Sequence, residues 1–278
     1  MTIQNSIVSY PDRGPWGDSK FRGNTTGHLV RDLIEFYKPK SVLDPMEGSG
    51  TTKDVCKEMG VDYDGFDLSR GFDLFSSPLP CKRYGMIFWH PPYMDIIKYS
   101  DDPRDMSIGK FDEFVQKLFE GLDRLGEYLA EDGVLVLLIG DIRRQGEYYP
   151  LGAFVQVFRR KELKAKLVKV QHNVQSSGKW YGGKFIPIMH EEVLVLKWMS
   201  RLTWQELVLR TLKELGGEAE LKELYETIAK HPKHLSNPTY QATVRRTLQE
   251  AATHEGKGLW KWVSPQQGNT NEKGEGGM

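Results

Sequence analysis

Ser41-Val42-Leu43-Asp44-Pro45-Met46-Glu47-Gly48-Ser49-Gly50-Thr51-Thr52 decides how the rest of this chain is read. A short apolar strand over 41–44 ends in an aspartate. Glycines at 48 and 50 let the backbone turn tightly against a ligand, and Thr51 to Met59 reads as a helix. A phosphate loop would need GxxxxGK[ST], and Lys53 falls two residues too late for it. The GxGxxG dinucleotide fingerprint is missing as well. A carboxylate at the strand tip repels a pyrophosphate and favours a ligand that carries a cationic amine, as S-adenosylmethionine does.

Further strands follow at intervals. Val61 to Asp67 and Tyr84 to Trp89 read as two of them. Val134 to Ile139 is a continuous β-type run, as expected for a central parallel strand, and Glu191 to Trp198 is another. Between them, Phe111 to Ala130 carries apolar residues at helical spacing: Phe111, Phe114, Val115, Leu118, Phe119, Leu122 and Leu125. Strands alternating with helices predict an α/β domain with a mainly parallel sheet over residues 1–200. Phe21 to Tyr37 is expected to precede the first strand and to close over one end of the ligand.

The character changes after residue 200. Thr203 to Glu214 reads as a helix, with Thr203 and Glu206 spaced for a capping box, and Gly216-Gly217 ends it. Glu220 to Lys230 is a second helix. A third is expected to run to Ala252, with Asn237 at its N-cap and Pro238 in its first turn. A hairpin follows from His254 to Val263. Three short helices and a β-wing predict a winged helix-turn-helix domain over 201–264. Residues 265–278 are rich in Gly, Asn, Gln and Glu and read as a disordered tail.

The 278 residues carry 39% hydrophobic and 27% charged side chains, with a formal net charge of zero. Two cysteines, Cys56 and Cys81, are too few for a disulfide framework, and no His/Cys cluster has zinc spacing, so no metal is expected. No stretch reads as a signal peptide or a membrane span, which points to the cytoplasm. Charge is unevenly spread. Arg159 to Lys184 holds eight Lys/Arg against one acidic residue, Glu162, and includes Gln171, His172, Asn173, Lys179 and Trp180. Lys179 and Trp180 are candidates for a surface that holds bases and phosphates; a solvated charged face is the alternative. On the third C-terminal helix, Gln241, Arg245 and Arg246 could enter a major groove, with Lys261 on the wing.

Two more stretches carry chemistry. Asp67 lies at the tip of the second strand, 23 residues after Asp44, where an acidic residue accepts hydrogen bonds from ribose hydroxyls. Phe72-Asp73-Leu74 follows, with Asp73 placed to accept from an adenine amino group and Phe72 or Leu74 on the ring face. Then comes His90-Pro91-Pro92-Tyr93, directly after an apolar strand. An aromatic amine is a poor nucleophile because its lone pair is delocalised. Acceptors bonded to its hydrogens push the nitrogen towards a tetrahedral geometry. The residue-90 side chain and the Pro91 carbonyl can supply them, two prolines stiffen the loop, and Tyr93 offers a stacking face.

The DPMEGSGTT and HPPY segments, in that order, resemble the amino-methyltransferases that act on adenine N6 or cytosine N4. In that family the pair corresponds to a DPxxGSGTT cofactor motif and a (D/N/S)PP(Y/F) catalytic motif. The resemblance covers residues 20–200 and extends to Gly140-Asp141-Ile142-Arg143, Gln171-His172-Asn173 and the stretch from His190 to Lys197. It implies a Rossmann-like methyltransferase that uses S-adenosylmethionine. Asp44, Pro45, Met46, Gly48, Gly50, Thr51, Asp67, Phe72 and Asp73 would hold the cofactor. His90, Pro91, Pro92 and Tyr93 would hold the target base. The implied partner is double-stranded DNA, with adenine N6 favoured over cytosine N4. A cognate restriction endonuclease, if there is one, would be encoded separately, because no nuclease motif stands out.

His90 departs from the family pattern, which has Asp, Asn or Ser there. Neutral imidazole has one acceptor nitrogen and imidazolium has none, so activity is expected to fall below pH of about 6.5, the ordinary histidine value. Two other readings stay open. One is an RNA base methyltransferase. The other is a DNA-binding regulator whose methyltransferase fold is vestigial.

Overall fold

The computed structural model describes residues 3–172, 182–197 and 202–262. The chain divides into two compact units, residues 1–79 with 83–200, and residues 80–82 with 201–278. Lys179, Trp180, Asn173 and the 265–278 tail lie outside the described residues.

In the larger unit the elements are β1 (Ile7–Ser9), α1 (Gly27–Tyr37), β2 (Ser41–Asp44), α2 (Thr51–Met59), β3 (Asp62–Gly65), β4 (Tyr84–Trp89), α3 (Phe111–Gly126), β5 (Leu129–Ile139), β6 (Ile142–Arg144), β7 (Glu147–Tyr149), α4 (Leu151–Phe158), β8 (Leu163–Val170) and β9 (His190–Lys197). Seven strands form one sheet in the order β1-β8-β9-β5-β4-β2-β3. Strands β2, β3, β4 and β5 run parallel, while β9 runs antiparallel to both β5 and β8. The unit is a Rossmann-like α/β domain with a mainly parallel sheet.

Period-two alternation sends each strand's side chains to two cores. On β5, Leu135, Leu137 and Ile139 join one core with Phe114, Leu118 and Leu122 of α3. Val134, Val136 and Leu138 join the other, with Leu29 and Leu33 of α1 and Val55 of α2. The β4 residues split the same way, Ile87 and Trp89 against Met86 and Phe88. Both sides of the sheet are therefore covered, which explains why these strands read as continuous apolar runs.

Sequence order reverses at the centre of the sheet. From β2 the chain moves outward to β3, then returns to β4 on the other side of β2. Such a switch point leaves a crevice at the carboxyl ends of the strands. Asp44 ends β2 and His90 follows β4, so both motifs lie at this crevice.

Several expected boundaries are corrected. The helix expected to reach Ala130 stops at Gly126, because Leu129 pairs with Tyr84 and the strand begins there. The stretch from Phe21 contains α1, Gly27–Tyr37, which precedes β2; Thr26 caps it by accepting from the His28 amide.

The smaller unit runs α5 (Trp204–Glu214), β10 (Glu218–Glu220), α6 (Leu221–Ile228), α7 (Tyr240–Ala251), β11 (Ala252–Gly256) and β12 (Leu259–Trp262). The capping box forms: Thr203 Oγ1 accepts from the Glu206 amide at 3.1 Å, and Glu206 Oε2 accepts from the Thr203 amide at 2.6 Å. The hairpin gains a third strand, β10, paired with β12. Helix α7 begins later than expected. Asn237 Oδ1 accepts from the Thr239 amide at 3.1 Å and closes a turn instead of capping the helix, which starts at Tyr240. Trp260 is buried in this unit's core with Leu207, Leu212, Leu224 and Leu248. It is a packing residue.

Candidate active site

The β2–α2 turn builds the first wall. Asp44 is 3% exposed, and its Oδ1 accepts from the Met46 amide at 3.1 Å. Thr52 also bonds its carboxyl. Gly48 has φ +51°, a left-handed conformation that suits glycine. A Cβ there would lie 3.0 Å from the Phe21 ring. The Gly48 amide donates to Asp67 Oδ2 at 3.0 Å, which ties the β2 turn to the loop after β3. Asp67 Oδ1 accepts from the Ser69 amide at 2.9 Å and from the Ser69 hydroxyl. Asp73 holds its own turn: Oδ1 accepts from the Phe75 amide at 3.0 Å and Oδ2 from the Ser76 hydroxyl at 2.6 Å.

These residues line a cavity of about 440 Å³. Asp44, Pro45, Met46, Gly48, Thr51, Asp67, Phe72 and Asp73 all line it, as do Phe21 and Tyr99. Of the expected cofactor residues only Gly50 is off this wall; it caps the N-terminus of α2 with φ +82°. One residue was missed. Glu47 is buried, lines the cavity and pairs with Arg70. Burial raises the Asp44 carboxyl to about 7, with the charges of Glu47 and Asp67 pushing the same way. A buried carboxyl with acidic neighbours is a poor host for an anion. It is a good host for a cation, which would relieve the repulsion. The volume is typical of a small-molecule pocket.

A second cavity of about 1090 Å³ lies beside the first. The two share His90, Phe21, Gly23, Asn24, Thr25 and Tyr99 as lining residues. Pro92 lines the first cavity, while Pro91 and Tyr93 line the second. The HPPY loop is thus the partition between them. Lys169, Glu191, Arg143, Asp141 and His172 line the second cavity further out.

The His90 side chain is 16% exposed. Its Nε2 lies 2.9 Å from the Tyr93 hydroxyl, and that hydroxyl donates to Glu191 Oε1 at 2.6 Å. Lys169 Nζ donates to Glu191 Oε2. Burial pulls His90 down to about 4; the Glu191 carboxylate opposes this and Lys169 reinforces it. This corrects the threshold read from the sequence. His90 stays neutral well below pH 6.5, so the loss of its acceptor moves to about pH 4. The Tyr93 ring packs on Gly140, where a Cβ would come within 2.8 Å of it. Its hydroxyl is tethered, so the ring is held in one orientation.

Three of the eight cations in the basic stretch are paired to carboxylates within the larger unit. Lys166 pairs with Glu192, Lys169 with Glu191, and Arg159 with Asp123 at 2.6 Å. These cations are neutralised inside the unit and are not free for phosphates. Arg143 belongs to the Gly140–Arg143 stretch that the resemblance included without a role. Its guanidinium stacks over the Tyr148 and Phe185 rings at 5.2 and 5.3 Å. Its Nε is buried without a hydrogen-bond partner among the described residues, as is Asp141 Oδ1. In the smaller unit Gln241, Arg245, Arg246 and Lys261 are all exposed. Arg246 lies 4.0 Å from Glu250, one turn along α7.

No family model matches the chain, and no curated protein does. Among solved structures, the backbone is similar to TehB from Haemophilus influenzae, with 11% identity over 62% of each chain and a TM-score of 0.41. It is similar to a candidate DNA modification methylase from Thermus thermophilus complexed with S-adenosyl-L-methionine. That match has 21% identity over 51% of this chain and 57% of the other, with a TM-score of 0.30. A class I S-adenosylmethionine-dependent methyltransferase candidate from Listeria monocytogenes matches at 18% identity over 64% and 60%, with a TM-score of 0.37. The chain spans less than two thirds of the length of each of these three proteins.

Proposed function

We propose that this chain is an S-adenosylmethionine-dependent methyltransferase that modifies the exocyclic amino group of a base in double-stranded DNA, with adenine N6 favoured. One observation carries the reading: an acidic cavity of cofactor size lies beside a larger second cavity, and His90 of the HPPY loop lines both.

The residues present fit the cofactor. Asp44 would take its amine, Asp67 the ribose hydroxyls, and Phe72 with Asp73 the adenine. The carboxylate-rich wall suits a ligand with an ammonium and a sulfonium and disfavours a nucleotide phosphate. When bound, S-adenosylmethionine supplies a methyl group already activated on sulfur. The chain's own task is then to hold and polarise the amine. His90 and the Pro91 carbonyl accept hydrogen bonds from its two N–H groups, and the tethered Tyr93 ring packs against the base. A base reaches such a site only when it is turned out of the duplex. The second cavity receives it, and Asp141 and Arg143 offer an acceptor and a donor for its edge.

We read the smaller unit as a winged helix. Its order of helix, strand, two helices and two strands leaves α7 with Gln241 and Arg245 exposed one turn apart. That face suits a major groove. The choice between DNA and RNA is tested by competition. Unlabelled duplex DNA should suppress labelled methyl transfer, while structured RNA should not. Suppression by RNA alone would replace DNA with RNA as the substrate. A regulator with a vestigial fold would show no calorimetric heat with S-adenosylmethionine.

A further inference from the structure

A single run of hydrogen bonds leads from a buried cation to the His90 ring. Lys169 on β8 donates to Glu191 on β9, and both are buried. Tyr93 donates to the other oxygen of Glu191 at 2.6 Å, and its hydroxyl lies 2.9 Å from His90 Nε2. Counting donors fixes every direction. An ammonium only donates. Burial favours the neutral form of Glu191, but the Lys169 ammonium beside it prevails and holds the carboxyl below its usual value. An ionised carboxylate only accepts, so the Tyr93 proton points at Glu191. The Tyr93 oxygen then has only lone pairs to offer His90. Nε2 must therefore carry the ring hydrogen. A neutral imidazole has one such hydrogen, so Nδ1 keeps its lone pair. Among the described residues Nδ1 has no hydrogen-bond partner, and His90 lines both cavities.

We propose that Lys169, Glu191 and Tyr93 are positioning residues that lock His90 as the Nε2–H tautomer, so that Nδ1 is the atom accepting a hydrogen bond from the target amine. The acceptor role rests on the methyl-transfer reading above. The locking does not, because it follows from the Lys169–Glu191 ion pair and the direction of the hydrogen bonds it sets. The arrangement also explains how a histidine can stand where the resembling family has a smaller polar residue. An unanchored imidazole could place either nitrogen, with or without hydrogen, towards the amine. The anchored one presents a bare lone pair.

Glu191→Gln is the decisive variant because it is isosteric and reverses the run. Lys169 still only donates, so it takes the amide oxygen. The amide NH2 then faces Tyr93, whose hydroxyl accepts it and donates onward to His90 Nε2. The ring hydrogen moves to Nδ1 and the free lone pair is lost. The full chain, labelled with ¹⁵N-histidine, is examined by long-range ¹H–¹⁵N correlation, with the His90 signals assigned from His90→Gln. The wild type should show hydrogen on Nε2 and a bare Nδ1; Glu191→Gln should show the opposite. In methyl transfer to duplex DNA, Glu191→Gln should lower kcat about 100-fold, the lower end of what a positioned acid–base group contributes, with Kd for S-adenosylmethionine unchanged. Tyr93→Phe serves as a second variant that keeps the Lys169–Glu191 pair; it should leave His90 in mixed tautomers. The same tautomer in wild type and Glu191→Gln, or a reversed tautomer with undiminished kcat, would overturn the proposal. A wild type that transfers no methyl overturns the functional reading and the acceptor role together, while the tautomer comparison separately decides the locking.

Discussion

Lowering the pH from 7 to 5.5 should weaken binding of S-adenosylmethionine by roughly 16-fold. Asp44 is the reason. Its carboxyl is raised to about 7 by burial, aided by Glu47 and Asp67. At pH 7 about half of the sites are ionised, and at pH 5.5 about 3% are. If the cationic amine binds only the ionised form, the lost fraction is a factor of roughly 16, or about 1.6 kcal/mol. His90, at about 4, stays neutral across this window and adds nothing to the slope. Titration calorimetry at half-unit steps reads the effect directly. Asp44→Asn should bind weakly and without a slope. The stability change runs the other way. Folded Asp44 keeps a proton that the unfolded chain releases above its ordinary value of 3.8. Stability therefore falls as pH rises from about 4 to about 7, and Asp44→Asn should raise the ligand-free Tm at pH 8, by roughly 2–4 °C per kcal/mol recovered. Wild-type affinity that is flat between pH 7 and 5.5 would refute Asp44 as the partner of the amine.

Three further outcomes are expected. Gly48→Ala should cost about 1 kcal/mol in urea unfolding, because a Cβ is strained at φ +51°, and should weaken cofactor binding by displacing Phe21. Arg143→Ala and Asp141→Ala should raise KM for DNA about tenfold with cofactor Kd unchanged, since each removes one proposed contact to the base edge in the second cavity. Gln241→Ala and Arg245→Ala should each weaken DNA binding by about 1–3 kcal/mol, read by fluorescence anisotropy with the cofactor site intact.

Much of the sheet's centre was legible in the sequence because those strands are buried on both sides. The runs at Ser41–Asp44 and Tyr84–Trp89 and the helix Thr51–Met59 have the expected bounds. The far side of the sheet was not legible. Strand β8 reads Leu-Lys-Ala-Lys-Leu-Val-Lys-Val, and its lysines suggested a basic surface. Two of them instead face glutamates of the neighbouring strand, Lys166 on Glu192 and Lys169 on Glu191. Strand β1, only three residues long, gave no periodicity to read. The site followed the same division. Asp44, Asp67 and the HPPY loop were visible as local motifs at strand tips. Glu191 reaches Tyr93 across 98 residues of sequence, and no local pattern encodes that contact. The one available signal was the acidic pair Glu191-Glu192 opening the apolar run Val193-Leu194-Val195-Leu196, since two carboxylates entering a buried strand require partners there.

Amino-methylation of DNA is decided by incubating the full chain with labelled S-adenosylmethionine and mixed-sequence duplex DNA, then digesting the DNA and identifying the labelled nucleoside by mass spectrometry. Label is expected in N6-methyladenine and should be lost in His90→Ala. Absence of label from every amino-methylated base, in a chain that binds S-adenosylmethionine, would contradict the proposed reaction.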